Sequence, residues 1–188
     1  MKRIKYIFTL LTILTIISSC KHDPCKDTNC LHGGTCNNGT CECPVGYTGP
    51  DCGTEKTPAS IKITQIALNS FPDLDNNGND WDFAHVGDNP DVFLSINSGS
   101  IANDVQTTQV ENEAFSGLTP YFRPVTALVL SNPANTYTIG VWDYDTTDPD
   151  DLMGTINFTP NNFKSGFPQS FNLSSGGISL TVDVVWNF

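Results

Sequence analysis

Tyr137-Thr138-Ile139-Gly140-Val141-Trp142 followed by Asp143-Tyr144-Asp145-Thr146-Thr147-Asp148-Pro149-Asp150-Asp151-Leu152-Met153-Gly154 is the stretch that decides the architecture. Its first six residues, Gly140 apart, are β-branched or aromatic and roughly alternate, the pattern of a strand. Met153–Phe158 begins a second strand of the same kind. Between them, five carboxylates, Asp143, Asp145, Asp148, Asp150 and Asp151, fall within nine residues. So much like charge on one connection repels itself. A hard divalent cation removes that repulsion, and Ca²⁺ takes about six to eight oxygen ligands in adaptable geometry. The loop is therefore expected to be half of a calcium site. The plainer reading is a solvated acidic turn punctuated by Asp148-Pro149.

The other strand signals extend this pattern through the C-terminal two-thirds of the chain. They are Ser60–Asn69, Asp91–Asn97, Val105–Glu111, Pro124–Leu130, Tyr137–Tyr144, Met153–Thr159, Gln169–Leu173 and Ile178–Trp186. In Ser60–Asn69 the apolar residues Ile61, Ile63, Ile66 and Leu68 fall out of step once, which predicts a bulge. Ile178–Trp186 alternates cleanly. No helical periodicity of useful length is present. Eight strands without helices predict an antiparallel β-sandwich spanning 60–188.

Charge is concentrated rather than spread. The 188 residues carry 9 Lys+Arg and 20 Asp+Glu. Removal of Lys2, Arg3 and Lys5 with a targeting segment leaves 6 cations against 20 acids, a formal charge of −14. Such a surface repels nucleic acid, which is excluded as a partner, and repels anionic lipid unless a metal intervenes. Beyond residue 58 there are 15 acids, and 11 of them lie in the windows Asp73–Asp91 and Asp143–Asp151. The first window contains Asp73, Asp75, Asn77 and Gly78, spaced like the start of an EF-hand loop. The position that needs a bidentate carboxylate is Ala84, so that motif is rejected while its ligand chemistry is kept.

All seven cysteines lie between Cys20 and Cys52. A disulfide-stapled module is expected there, and beyond it a domain that stabilises itself by burial. Residues 1–19 read as a targeting segment: a basic start, then an apolar run from Tyr6 to Ile17 that is short for a membrane span. It ends Ile17-Ser18-Ser19-Cys20, which resembles the bacterial lipobox. The resemblance implies lipidation of Cys20 and an outer-membrane, surface-exposed anchor carrying palmitate-like acyl chains, with 20–24 as the tether. An ordinary secretory signal is the alternative. Lipidation leaves six cysteines, an even set.

Cys25, Cys30, Cys36, Cys41, Cys43 and Cys52 in an exported chain imply three disulfides, with fifteen pairings open. A zinc cluster is disfavoured by export and by the lack of paired Cys-x2-Cys units. The run Cys30-Leu-His-Gly-Gly-Thr-Cys36 and the ending Cys41-Glu-Cys43-Pro-Val-Gly-Tyr-Thr-Gly-Pro-Asp-Cys52 resemble an EGF-like module. That resemblance implies Cys25–Cys36, Cys30–Cys41 and Cys43–Cys52. The acidic run that calcium-binding members carry before the first cysteine is missing; His22-Asp23-Pro24 stands there, so no calcium is assigned to this module. His32 reads as a surface residue. Residues 53–59 read as a polar linker.

The spacing Asp143-x-Asp145-x-x-Asp148-x-x-Asp151-Leu-Met-Gly154 resembles the third calcium loop of C2 domains, and residues 60–186 as a whole resemble that family. Asn89-Pro90-Asp91-Val92-Phe93-Leu94 echoes the family's Asp-Pro-Tyr-Val segment, and Thr119-Pro120-Tyr121-Phe122 its Pro-x-Trp segment. The resemblance implies Asp143, Asp145 and Asp151 as Ca²⁺ ligands, with Asp148 auxiliary. It places Asn89 where an aspartate is usual, a departure for which Asp88 or Asp91 could compensate. Asp75, Asp80 or Asp82 would supply the first ligand. It also implies the permuted strand order, in which both acidic loops leave one end of the sandwich.

The expected function is a non-enzymatic, calcium-binding lipoprotein that adheres to or binds an unidentified protein, glycan or lipid. Calcium-dependent docking on phospholipid or lipopolysaccharide is the alternative, with Trp81 and Phe83 as inserting tips or, equally, as residues packed under the loop. Lys62, Arg123 and Lys164 do not make the family's basic groove. His22, His32 and His85 assemble no Ser-His-Asp set, and no Gly-x-Ser-x-Gly is present.

Overall fold

The computed structural model describes residues 23–81, 89–99, 107–112, 114, 119–124, 126–146 and 149–188. It forms two compact units that divide between Thr54 and Glu55. Cys20 lies outside the described residues.

The first unit is held by cross-links rather than by a core. Strands β1 (Thr35–Asn37) and β2 (Thr40–Glu42) form an antiparallel hairpin. Asn38 and Gly39 make its turn with φ of 50° and 84°, the positive values that a two-residue hairpin loop requires. Two further two-residue strands, β3 (Tyr47–Thr48) and β4 (Thr54–Glu55), pair with each other. The disulfides are Cys25–Cys36, Cys30–Cys41 and Cys43–Cys52, the three pairings that the resemblance implied. Such bonds belong to an oxidising compartment, so the chain is an exported one. A Cβ on Gly34 would lie 2.8 Å from Cys52 Sγ, so glycine is needed where the chain crosses that bridge. His32 stacks on Tyr47 with ring centroids 4.0 Å apart and donates from Nδ1 to the Cys52 carbonyl at 3.0 Å, which gives it a structural role.

The second unit is a two-sheet antiparallel sandwich. Its eight strands among the described residues are β5 (Ser60–Ser70), β6 (Val92–Ser98), β7 (Tyr121–Phe122), β8 (Leu128–Leu130), β9 (Tyr137–Asp143), β10 (Asp151–Phe158), β11 (Ser170–Ser175) and β12 (Ile178–Asn187). One sheet runs β11-β12-β5-β7, with β8 also on β5; the other runs β10-β9-β6. The facing sides pack one hydrophobic core, from Ile61, Ile63, Leu180 and Val182 on one sheet to Val92, Leu94, Ile139 and Val141 on the other. The predicted bulge is at Thr64: Asp183 pairs Gln65 and Val184 pairs Ile63, so Thr64 is skipped. That one extra residue keeps both Ile63 and Ile66 buried.

Two strand assignments are corrected and one strand is added. Of Val105–Glu111, residues 105 and 106 lie outside the described residues, and 107–111 is an irregular edge beside β6. There the Thr108 and Thr107 hydroxyls accept the Leu94 and Ile96 N–H groups, each at 2.9 Å, and side chains replace part of the ladder. Regular pairing is reduced to bridges, Val92 with Glu111 and Thr108 with Pro124. Among the described residues Pro124–Leu130 shrinks to Leu128–Leu130, with Pro124 bridging Thr108 rather than joining that strand. Tyr121–Phe122, too short to show a period, pairs Ala67 and Ile66 instead.

The supposed linker is partly annexed by the sandwich. Glu55 Oε1 accepts the Gly166 N–H at 2.8 Å, and its other oxygen lies 3.8 Å from Lys164 Nζ. Pro58 is buried, and Ala59 N donates to the Asn187 carbonyl at 2.8 Å.

Candidate metal centre

Strand register brings the second acidic window to one end of the three-stranded sheet. Asp143 closes β9, the central strand. Its register partners are Asp151, which opens β10, and Val92, which opens β6. Residues 89–91, which lead into β6, and residues 144–146, which leave β9, therefore meet at this end. Two carboxylates directly opposite in an antiparallel pair repel each other, so the register itself concentrates negative charge.

Asp143 is fully buried. Its Oδ1 accepts the Asp91 N–H at 2.9 Å, and the Tyr144 N–H donates to the Asp91 carbonyl at 2.7 Å. These two bonds tie the start of β6 to the end of β9. Asp145 is half-buried, and its N–H donates to Asp150 Oδ1 at 3.0 Å, closing the loop. Asp150, one of the five charges but not one of the expected ligands, acts as a cap. Asp151 is exposed and Asn89 half-buried, next to buried Pro90. Asp148 and Asp82 lie outside the described residues, as do Phe83, His85 and Asp88.

Asp75 stands in a loop that satisfies it. Oδ1 accepts the N–H groups of Asn77 and Asn79 at 2.7 and 2.8 Å, and Oδ2 accepts their side-chain amides at 3.1 and 3.2 Å. These donors, the Asn79 N–H foremost, lower its pKa to about 2. Asp80 is half-buried beside Trp81. Trp81 is in the core, 7% exposed, with Nε1 donating to the Pro72 carbonyl at 2.8 Å. Of its two readings, packing under the loop is the one that holds, so it is not an inserting tip.

Among the described residues, no three or more His, Cys, Asp or Glu side chains gather as a ligand set. The donors at this end, Asp143, Asp145, Asp151 and Asn89, offer oxygens of the hard type that Ca²⁺ prefers, and the fit extends that far. Their backbones converge by register; their side chains do not form a cage.

Sequence reasoning missed the aromatic support behind the site. Phe93 and Trp142 are register partners, stacked with centroids 6.2 Å apart, and Tyr144 meets Phe93 edge-on at 6.5 Å. Trp142 Nε1 donates to the fully buried Ser95 hydroxyl at 2.8 Å. The unbroken apolar run Val92-Phe93-Leu94 was the available signal of a strand buried on both faces.

Residues 25–51 match the family model of the EGF-like domain. Over 40 residues, 18% of this chain, the sequence is 52% identical to the mouse hepatocyte growth factor activator serine protease. The chain spans about 6% of the length of the first curated relatives it matches. Among solved structures, a C2 domain of a plant Extended Synaptotagmin 1 is similar at 14% identity and a TM-score of 0.43, covering 70% of this chain and 97% of that one. A calcium-bound pair of C2 domains from Extended-Synaptotagmin 2 is similar at 18% identity and a TM-score of 0.44, covering 69% and 46%. The sandwich described above stands on its own strand register.

Proposed function

We propose that the chain is an exported, lipid-tethered, non-enzymatic binding protein whose C2-like sandwich holds Ca²⁺ between its two acidic connections. The observation that carries this reading is the register of Asp143 against Asp151, with Asp143 buried and the Asp91 N–H donated to it. A bound divalent ion offsets both the burial of one carboxylate and its repulsion from the next. Asp143, Asp145, Asp151 and Asn89 would hold the ion from this end; Asp148 and one of Asp80 and Asp82 complete the proposed set, Asp75 being taken up by its own loop. The ion would supply charge neutralisation and loop ordering, and the EGF-like unit would serve as a stalk or second contact surface.

Calorimetric titration of the full chain with calcium tests this, with thermal melts alongside. At free calcium about 100-fold over Kd, stabilisation should reach about 2.7 kcal/mol and raise Tm by several degrees. Asp143→Asn combined with Asp145→Asn should remove both signals while leaving the chain folded in chelator, because an amide oxygen still accepts the Asp91 N–H. Absence of heat and of a melting shift at millimolar calcium would sink the reading. The second reading, calcium-dependent docking on phospholipid or lipopolysaccharide, is separated by pelleting with vesicles of each in calcium and in chelator.

A further inference from the structure

The outward face of the five-stranded sheet lies opposite the core and takes no part in the acidic end. Alternation puts Lys62, Ala67 and Asn69 of β5, Thr181, Asp183 and Val185 of β12, Asn172 of β11, Val129 of β8 and Tyr121 of β7 on it. Tyr121 is 59% exposed. Its register partner is Ala67, whose own partner on the other side is Thr181, followed by Asn172. A ring and a polar row thus stand two strands apart, on the order of 10 Å, with only a methyl between them. Register therefore gives this face one aromatic wall and one polar wall on either side of Ala67.

The polar wall is an ordered ladder. Asn69 Nδ2 donates to Thr181 Oγ1 at 3.0 Å, and Thr181 Oγ1 donates to Asn172 Oδ1 at 2.9 Å. The ladder leaves Asn69 Oδ1 to accept and Asn172 Nδ2 to donate, a fixed acceptor and donor suited to vicinal hydroxyls. The aromatic wall is braced too. Gln109 Nε2 donates to the Tyr121 carbonyl at 3.1 Å, and Gln109 Oε1 accepts the Arg123 N–H at 2.9 Å. Arg123 is exposed and lies two residues beyond Tyr121, past the inward Phe122, so it continues the same face.

Charge on this face runs against that of the chain. Lys62 and Arg123 are two of the three cations beyond residue 58. Among the outward positions of β5, β7, β8, β11 and β12, Asp183 is the one carboxylate.

We propose that this face binds a glycan bearing carboxylated sugars, such as a uronate. Tyr121 stacks on a pyranose ring, Arg123 pairs with the carboxylate in its planar fork, and the Asn69–Thr181–Asn172 ladder reads hydroxyls. The proposal does not rest on the metal reading, since none of these residues is a proposed ligand.

The test is calorimetric titration of the full chain, in chelator, with oligogalacturonate, with neutral dextran oligosaccharide and with phosphatidylserine vesicles. Oligogalacturonate should bind, more weakly as salt rises. Tyr121→Ala and Arg123→Gln should each weaken it about tenfold or more, while Tyr121→Phe, which keeps the ring, should bind as the parent does. No binding of oligogalacturonate, equal binding of dextran, or tighter binding of the vesicles each overturns the proposal. So does binding that returns only with calcium and disappears in Asp143→Asn. Far-ultraviolet dichroism of each variant confirms that a loss is not unfolding.

Discussion

Asp75 shows how a single side chain can look like a metal ligand and be occupied by its own loop. Its two oxygens accept four hydrogen bonds from Asn77 and Asn79, and these hold its pKa at about 2, below the ordinary 3.8. A lowered folded-state pKa contributes stability above the unfolded value that is lost as pH falls through the folded one. The difference in urea stability between the wild type and Asp75→Asn, measured in chelator, should therefore be full near pH 5 and shrink as pH falls from about 4 to about 2. A difference that stays constant over that range would show that the loop does not depend on the ionised form. The sequence displayed Asp75 plainly but not its partners. Asp-x-Asn-x-Asn spacing suits an Asx-type turn as well as an ion, and only the folded loop distinguishes self-satisfaction from an open ligand.

Elements were legible in proportion to their length and regularity. Ile178–Trp186 alternates cleanly, and β12 occupies Ile178–Asn187. The step between Ile63 and Ile66 foretold the bulge at Thr64. Deleting Thr64, which the register already skips, should therefore leave Ile61 and Ile63 facing the core, whereas deleting the paired Lys62 should turn Ile61 out of it, at about 1.5–3 kcal/mol. Thr64→Ala loses only the hydroxyl bond to the Asp183 carbonyl, worth about 1 kcal/mol. Denaturant titration should show the Lys62 deletion far less stable than the Thr64 deletion or Thr64→Ala; equal midpoints would mean that the register is not pinned there. The edge at 107–111 was misread as a full strand because its Thr107 and Thr108 hydroxyls, good strand residues by propensity, take over backbone donors. Asp143 and Asp151 were visible as acids of one connection, but that they stand opposite each other in register was not. The stacked Phe93–Trp142 pair behind them escaped too, since a run apolar on both faces carries no period.

For the whole molecule, cysteine usage divided the chain before any coordinate did: three cross-links within residues 25–52, and burial alone beyond. The lipid anchor belongs to this scale. Cys20→Ser should move the protein from the membrane fraction to the soluble one after export; continued retention would rule out acylation at that thiol.

Topology also sets an order of assembly. The first unit is closed by bridges spanning 11, 11 and 9 residues, so each ring can form soon after its own residues emerge. The sandwich cannot follow that rhythm. β12 lies between β11 and β5, and β5 is made more than a hundred residues earlier. During synthesis and passage through a translocon, β5 must wait with its buried-face isoleucines unsheltered until the closing strand arrives. That interval is when a holding chaperone would have the most to cover.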